Sequence, residues 1–199
     1  YFNNISVDLI YGIPDLSDEE WLENIKTALD FDIPHISSYA LTVEPKTALF
    51  DFIKKGIIKN VDDEQAERQF HILIDEMNKA NFKHYETSNF GKAGFLSKNN
   101  SAYWKGKWYL GIGPSAHSFD GKQRSWNINN NAKYIKDIQE HKLPIEREIL
   151  SKRDIYNEYI MTGLRTIWGV SLAKIEEDFG KSYLRYLEMH IEKYIIQEM

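Results

Sequence analysis

A strand–helix–strand pattern near the start of the chain constrains its fold most. Residues 6–11 form a short apolar run that ends at Gly12, which is typical of a buried strand. Ser17 and Glu20 have the spacing of a capping box, and the apolar residues that follow recur at helical intervals. Residues 35–43 give the next strand. Because a helix commonly connects two parallel strands, we predict an α/β fold with a parallel sheet.

The alternation of strands and helices continues to about residue 115. We predict a helix over residues 45–55, an amphipathic helix from Asp62 or Asp63, a third strand over residues 82–87 and a short fourth strand over residues 108–112. From about residue 130 the pattern predicts helices only, at residues 132–140, 149–166 and 171–199, the last broken near Gly180. We therefore place strands and helices in residues 1–145 and a helical C-terminal region in residues 146–199.

Composition argues against several classes of protein. Of the 199 residues, 42% are hydrophobic, which is enough for a folded core. The net charge of −5 argues against a nucleic-acid partner, and no apolar run approaches the roughly 20 residues of an integral membrane segment. There is no cysteine, which excludes thiolate ligands and disulfides within this chain. We expect a cytoplasmic protein, and the ends of the chain suggest a piece of a longer one.

One carboxylate stands inside the first predicted strand. Asp8 lies between Val7 and Ile10, and a buried carboxylate must be paired or hydrogen-bonded. It could bind the ribose of a ligand at the carboxyl end of a strand, where α/β folds keep their sites. It could equally be an edge-strand residue, or one that a backbone amide satisfies. Glu86 and Asn89 follow the third predicted strand, where a site is also expected, although a salt bridge would explain Glu86 as well.

The connection over residues 98–118 is unusually rich in amides, aromatic rings and glycines, as binding loops are. Gly111 and Gly113 could bring the backbone close to an anion or a flat ligand, or could simply end a strand. His117 could bind iron or transfer protons, or serve a structural hydrogen bond. The other five histidines lack metal-ligand spacing, so we assign them no metal.

Four segments appear in the order and spacing of a known family: VDLIYGIP at residues 7–14, SYALTVEP at 38–45, YETSNF at 85–90 and YLGIGPSAHS at 109–118. The chain resembles the oxygen-independent coproporphyrinogen III oxidase-like radical S-adenosylmethionine proteins, closest to the HemW haem-chaperone branch. The resemblance implies an α/β fold, namely the C-terminal portion of a radical S-adenosylmethionine partial (β/α)6 barrel, followed by a helical region.

The resemblance also implies the cofactors. The family binds a 4Fe–4S cluster through CxxxCxxC, and since this chain has no cysteine, the cluster ligands must lie outside it. The chain alone is therefore expected to be inactive. In the family, the residues that correspond to Asp8, Ile10 and Ala40 contact S-adenosylmethionine: the aspartate its ribose, the isoleucine its apolar surface and the alanine backbone its adenine.

The same resemblance places haem or porphyrin against one segment. The chaperone branch carries HNxxYW, whose histidine is implicated in haem binding, but Asn99 stands at that position here. An amide is not a usual ligand of haem iron, so either another residue holds the haem, with His117 the nearest candidate, or haem binding is weak in this protein. The implied porphyrin region comprises Asn99, Asn100, Tyr103, Trp104, Gly111, Gly113 and His117.

Three functions follow from the resemblance and the residues. The first is a haem chaperone that passes haem to an acceptor protein. The second is a coproporphyrinogen III oxidase that decarboxylates propionates, and the third is a haem-binding or interaction module without chemistry.

Overall fold

A computed structural model of the protein describes residues 2–196, which divide into two compact units, Tyr1–Ser97 and Lys98–Met199. The first unit contains β1 (Ser6–Tyr11), α1 (Asp18–Asp30), β2 (His35–Ala40), α2 (Ala48–Lys54), α3 (Asp63–Lys79), β3 (Lys83–Glu86) and β4 (Asn89–Gly91). The second contains α4 (Lys98–Trp104), β5 (His117–Phe119), β6 (Gln123–Asn127), α5 (Asn131–Gln139), β7 (Ile145–Ile149), α6 (Lys152–Gly163), α7 (Leu172–Phe179) and α8 (Lys181–Ile196). Among these described helices, none is long and apolar enough to cross a membrane.

The first unit is a four-stranded sheet in the order β1-β2-β4-β3, with β1 and β2 parallel. The predicted strand–helix–strand unit is confirmed, including the capping box, in which the Ser17 side chain accepts from the Glu20 N–H. The third predicted strand is wrong in one respect. The chain turns after Glu86 and returns as β4, which pairs antiparallel to both β2 and β3. The turn brings Asn89 into the sheet beside β2.

One face of this sheet carries the core. Side chains alternate along β1, so Val7, Leu9 and Tyr11 pack toward α1 and α3. The buried residues of the cluster are Trp21, Ile25, Ala28, Ile33, Ile36, Leu73, Met77, Phe82 and Phe90. Polar side chains of the same strands project from the opposite face.

A buried glutamine joins α3 to the turn between β1 and α1. The Gln69 side chain accepts the Gly12 N–H at 2.8 Å and donates to the Leu16 carbonyl at 3.0 Å. The Gln69 backbone carbonyl in turn accepts the Trp21 indole N–H at 2.8 Å. Because Gln69 and Gly12 are both buried, no water can replace the Gln69 side chain as the partner of the Gly12 N–H.

The second unit begins with a helix and a three-stranded antiparallel sheet in the order β5-β6-β7. Three helices follow, and Tyr156, Ile175, Phe179 and Leu187 form their buried cluster. The predicted break at Gly180 is confirmed: the residue has a positive φ of 93° between α7 and α8. The last predicted helix reaches Ile196 in the structure, and residues 197–199 lie outside the described part of the chain.

Several expectations for this second unit are wrong. Residues 98–104 form α4 rather than an irregular connection, and residues 108–112 form no strand beyond a single bridge from Tyr109 to Phe119. Residues 145–149, expected within a wholly helical region, form β7, because pairing with β6 and not local periodicity decides their conformation. The two compact units divide between Ser97 and Lys98, and the boundary placed after residue 145 lies within the second of them.

We expect Gln69→Met to lower the free energy of unfolding by about 1–3 kcal/mol, because it leaves the buried Gly12 N–H without its partner and removes one of the two donors to the Leu16 carbonyl. Urea denaturation measures the change. Gln65→Met is the matched control. It removes the hydrogen bonds from the Gln65 amide to the Leu16 carbonyl, at 2.8 Å, and to the Ile13 carbonyl, at 3.0 Å, but at a half-buried position, and should cost less than about 1 kcal/mol. Equal losses in the two variants would contradict the role assigned to Gln69.

Candidate functional site

A row of polar side chains crosses all four strands of the first unit on the face opposite the core. Asp8 on β1 pairs with Ser37 on β2, Ser37 pairs with Asn89 on β4, and Asn89 pairs with Glu86 on β3. Because paired residues of a sheet project to the same face, the four side chains form one continuous line. Ser37, Asn89 and Glu86 are buried, while Asp8 is exposed.

The exposure of Asp8 corrects the expectation that it lies in a buried strand. Among the described strands, β1 pairs with β2 along one edge only, and its residues alternate between half-buried and exposed. Within residues 2–196, the Asp8 carboxylate forms no hydrogen bond or ion pair. Its oxygens are therefore free to accept hydrogen bonds from a ligand.

Ile10 and Ala40 lie nearer the carboxyl ends of their strands than Asp8, which stands in the middle of β1 opposite Ser37. Ile10 pairs with Tyr39 on the face of Asp8, and its side chain is 48% exposed. Ala40, the last residue of β2, is exposed and pairs with Tyr11. Ile10 and Ala40 thus lie near the carboxyl ends of two parallel strands, the usual place of a site in an α/β sheet, and Asp8 projects from the same face as Ile10.

His35 is a buried imidazole that the search for metal-ligand spacing in the sequence did not select. Its Nδ1 lies 2.7 Å from the Ser6 hydroxyl, and its Nε2 lies 2.8 Å from the Tyr85 hydroxyl. Burial lowers the pKa of His35, and the negative charges of Asp8 and Glu86 oppose that shift in part. Burial therefore favours the neutral form of the His35 imidazole within the polar face. Its position on the Asp8 side of β2 could have been found by aligning the two strands, not by a metal-ligand motif.

Glu86 and Asn89 form a buried pair at the far side of the row. The Asn89 amide donates to the Glu86 carboxylate, while the Asn89 carbonyl oxygen is buried without a partner within residues 2–196. The sequence singled out both residues, and the hairpin that brings them together was not predicted. Oxygen atoms that can accept hydrogen bonds therefore lie at both ends of the row, on Asp8 at one end and on Glu86 and Asn89 at the other.

In the second unit, α4 carries four of the residues implied for porphyrin, and they lie on two sides of the helix. Asn99 and Tyr103 are one turn apart on the exposed side, and Asn100 and Trp104 are half-buried. Tyr103 meets Tyr109 edge-on at 4.7 Å between ring centroids. The exposed side of α4 thus offers an amide and a phenol ring.

The glycine pair has a structural explanation within the chain. A Cβ on Gly111 would lie 2.2 Å from the His117 carbonyl oxygen, so only glycine allows this segment to run against β5. Gly113 has a positive φ of 102°, and its N–H donates to the Tyr134 hydroxyl at 3.3 Å. Asn127 holds the Gly113 carbonyl at 2.8 Å.

His117 is exposed at the start of β5, with its ring 6.1 Å from that of Trp126. In the segment before it, every second side chain is largely exposed to solvent. The exposed fractions are 77% for Trp108, 79% for Leu110 and 83% for Ile112. This surface can meet an apolar ligand. The residues implied for S-adenosylmethionine all belong to the first unit, and those implied for porphyrin all belong to the second.

The residues fit one of the implied cofactors and not another. The unpartnered Asp8 carboxylate suits a ribose hydroxyl, which is a hydrogen-bond donor. A 4Fe–4S cluster finds no ligands here, because the chain has no cysteine.

Comparisons with known proteins give consistent relationships. A family model described as the HemN C-terminal domain matches residues 150–199. The chain is 36% identical over 183 residues to the heme chaperone HemW of Bacillus subtilis (strain 168), covering 91% of this chain and 48% of that protein. It is 31% identical over 198 residues to the heme chaperone HemW of Lactococcus lactis subsp. lactis (strain IL1403), covering 100% of this chain and 52% of that protein.

A mouse protein, radical S-adenosyl methionine domain-containing protein 1, mitochondrial, is 31% identical over 176 residues, with 84% of this chain and 40% of that protein covered. The solved structure of coproporphyrinogen III oxidase (HemN) from Escherichia coli, a radical SAM enzyme, matches with a TM-score of 0.76 at 16% identity. That match covers 99% of this chain and 49% of the other. The chain spans about half the length of the curated relatives it matches.

The sheet, the helices that follow it and the structural match define the class as the radical S-adenosylmethionine fold seen in HemN, and the fold class predicted from the sequence is confirmed. The sequence relatives specify the family. The chain belongs to the oxygen-independent coproporphyrinogen III oxidase-like radical S-adenosylmethionine proteins and is related within them to HemW.

Acidification should destabilise the first unit through His35. Because burial lowers its pKa in the folded state, the unfolded chain binds the proton more readily, and the free energy of unfolding should fall as the pH drops below about 6.5, the ordinary histidine value. Urea denaturation at about pH 7.5 and pH 5.5 measures the fall. His35→Gln should show a smaller fall than the parent protein, and the exposed His71→Gln should match the parent. A parent and His35→Gln with the same pH dependence would contradict this assignment.

Proposed function

We propose that the protein acts as a haem chaperone of the HemW kind, binding S-adenosylmethionine in its first unit and haem in its second. One observation carries the cofactor part: Asp8 is exposed and unpartnered within residues 2–196, on a sheet face otherwise lined by buried polar groups. The HemW relatives support the chaperone part. The cysteine-free composition favours a cytoplasmic protein.

Each residue of the first unit has a part in holding the cofactor. The Asp8 carboxylate accepts a ribose hydroxyl, Ile10 covers an apolar surface, and the Ala40 backbone meets the adenine. When bound beside a 4Fe–4S cluster, whose ligands come from outside this chain, S-adenosylmethionine supplies radical chemistry.

In the second unit, haem lies against the surface of residues 98–118. Tyr103, Trp104 and Asn100 give α4 its aromatic and amide groups, and Gly111 and Gly113 keep the following backbone close to β5. With Asn99 at the position of the usual histidine, His117 is the imidazole of this segment that can bind iron. An acceptor protein would then take the haem from this surface.

A second function, oxidative decarboxylation of coproporphyrinogen III, is favoured by the fold match to HemN over nearly the whole chain. The two functions are separated in the full-length protein after anaerobic reconstitution of its cluster. A chaperone passes haem to an apo-acceptor without turnover, while an oxidase converts coproporphyrinogen III. Product formation with no haem transfer would replace the chaperone proposal by the oxidase.

Asp8→Ala in the full-length protein should weaken S-adenosylmethionine binding about ten- to a hundredfold, because a charge-assisted hydrogen bond is lost. Calorimetric titration measures the affinity, and the iron and sulfide content checks that the cluster is intact. Asp30→Ala, at an exposed position at the end of α1, is the control and should bind as the parent does. Unchanged affinity in Asp8→Ala would leave Asp8 an ordinary edge-strand residue.

His117→Ala in the full-length protein should abolish histidine ligation of the haem held by residues 98–118, while Asn99→His should strengthen haem binding by restoring an imidazole on α4. Absorbance titration with haem measures both. If His117→Ala binds as the parent does and Asn99→His gains affinity, the ligand position of this segment is residue 99 and the proposal for His117 is wrong.

A further inference from the structure

A groove between α6 and α8 in the second unit is not accounted for by the residues discussed so far. Its volume is about 430 Å³, within the range of small-molecule sites. The lining residues are Arg153, Tyr156, Asn157, Ser182, Tyr183 and Tyr186. Three tyrosine rings and one guanidinium in a single groove suit a flat ligand that carries negative charge.

The aromatic wall of the groove is continuous. Tyr156 and Tyr183 are 4.7 Å apart between ring centroids, and Tyr156 also meets Phe179 at 5.4 Å. These contacts fix the inner part of the wall in the core of the helices. Tyr186 stands at the mouth with 57% of its surface exposed, although large aromatic rings usually bury most of their area.

His190 extends this wall by one helical turn. Its ring lies 4.1 Å from that of Tyr186, and its Nδ1 is 2.7 Å from the Tyr186 carbonyl oxygen. A carbonyl can only accept, so Nδ1 is the donor in this contact and Nε2 is the ring nitrogen left to bind a metal. Within residues 2–196, Nε2 has no hydrogen-bond partner, and the side chain is exposed. A histidine fixed by one ring nitrogen with the other free is the arrangement found in metal-ligating histidines.

Cations surround the same surface. Arg153 lines the groove, Lys152 lies over the Tyr183 ring at 5.8 Å, and Lys193 follows His190 by three residues. None of the three forms an ion pair within residues 2–196, although the chain as a whole carries a net charge of −5. Unpaired cations beside aromatic rings complement a planar ligand with carboxylates.

We propose that the α6–α8 groove is a second haem site, with His190 Nε2 as axial ligand to the iron, Tyr186 against the macrocycle and Arg153 paired with a propionate. Haem has the three features that suit these side chains: a metal that binds imidazole, a flat apolar ring and two carboxylates. This inference rests on the proposed haem-binding function, but it uses none of the residues of the 98–118 segment.

Haem titration of the full-length protein tests the proposal by stoichiometry and by the absorbance of histidine-ligated haem. The parent should bind two equivalents, and His190→Ala should bind one fewer with a matching loss of the histidine-ligated signal. His71→Ala, another exposed helical histidine, is the matched control and should bind as the parent does. Far-UV circular dichroism of each variant confirms folding.

A second variant tests the groove itself. Arg153→Gln should keep the absorbance of histidine-ligated haem and lower the affinity of the His190 site at least threefold, because the propionate loses its charged partner.

The outcomes separate this inference from the proposed function. A parent that binds no haem overturns both. One equivalent that His117→Ala removes and His190→Ala leaves intact overturns the second site alone. One equivalent that His190→Ala removes and His117→Ala leaves intact supports the groove and rejects the 98–118 segment.

Discussion

The buried side chain of Gln69 is the interaction on which the first unit depends. It closes the turn after β1 by accepting from Gly12 and donating to Leu16, and its own carbonyl takes the indole N–H of Trp21. One residue of α3 therefore fixes the exit of β1, the start of α1 and the distance between the two helices. Gly12 has a positive φ of 71°, and a Cβ there would come within 3.1 Å of Ala66, so the turn accepts little else. The place of Asp8 follows, because its strand ends at this turn.

The sheet then divides its two faces by chemistry. The face toward α1 and α3 is apolar and buried, as the alternation in β1 requires. The other face buries His35, Ser37, Glu86 and Asn89, whose removal from water is unfavourable unless hydrogen bonds replace it. Several such bonds are present, yet the Asn89 carbonyl oxygen is left without one within residues 2–196. Buried polar atoms without a partner are uncommon in folded proteins, and this is the reason to place the candidate site on this face.

Local signals in the sequence predicted β1, α1, α3 and the break at Gly180, since each has a cap, a period or a glycine that acts within a few residues. They did not predict β4 or β7, whose conformation comes from pairing with distant strands. The same limit applies to the site. Glu86 and Asn89 were visible as strand-end residues, but their pairing with Ser37 and Asp8 depends on register. For Asp8 the sequence left a buried strand and an edge strand open, and the described strands agree with the edge strand, because an apolar strand sequence does not reveal where in a sheet it lies.

The side-chain chemistry of the two units differs, and this difference supports the placement of the two proposed ligands. The polar face of the first unit presents acceptors, the carboxylates of Asp8 and Glu86 among them, and would repel a propionate. It suits hydroxyls and a cationic cofactor. The second unit presents exposed tyrosines, imidazoles and unpaired cations, the groups that a carboxylate-bearing macrocycle requires. Exchanging the two ligands would place like charges together in the first unit and leave the imidazoles of the second without a metal. The distribution of charge therefore supports S-adenosylmethionine in one unit and haem in the other.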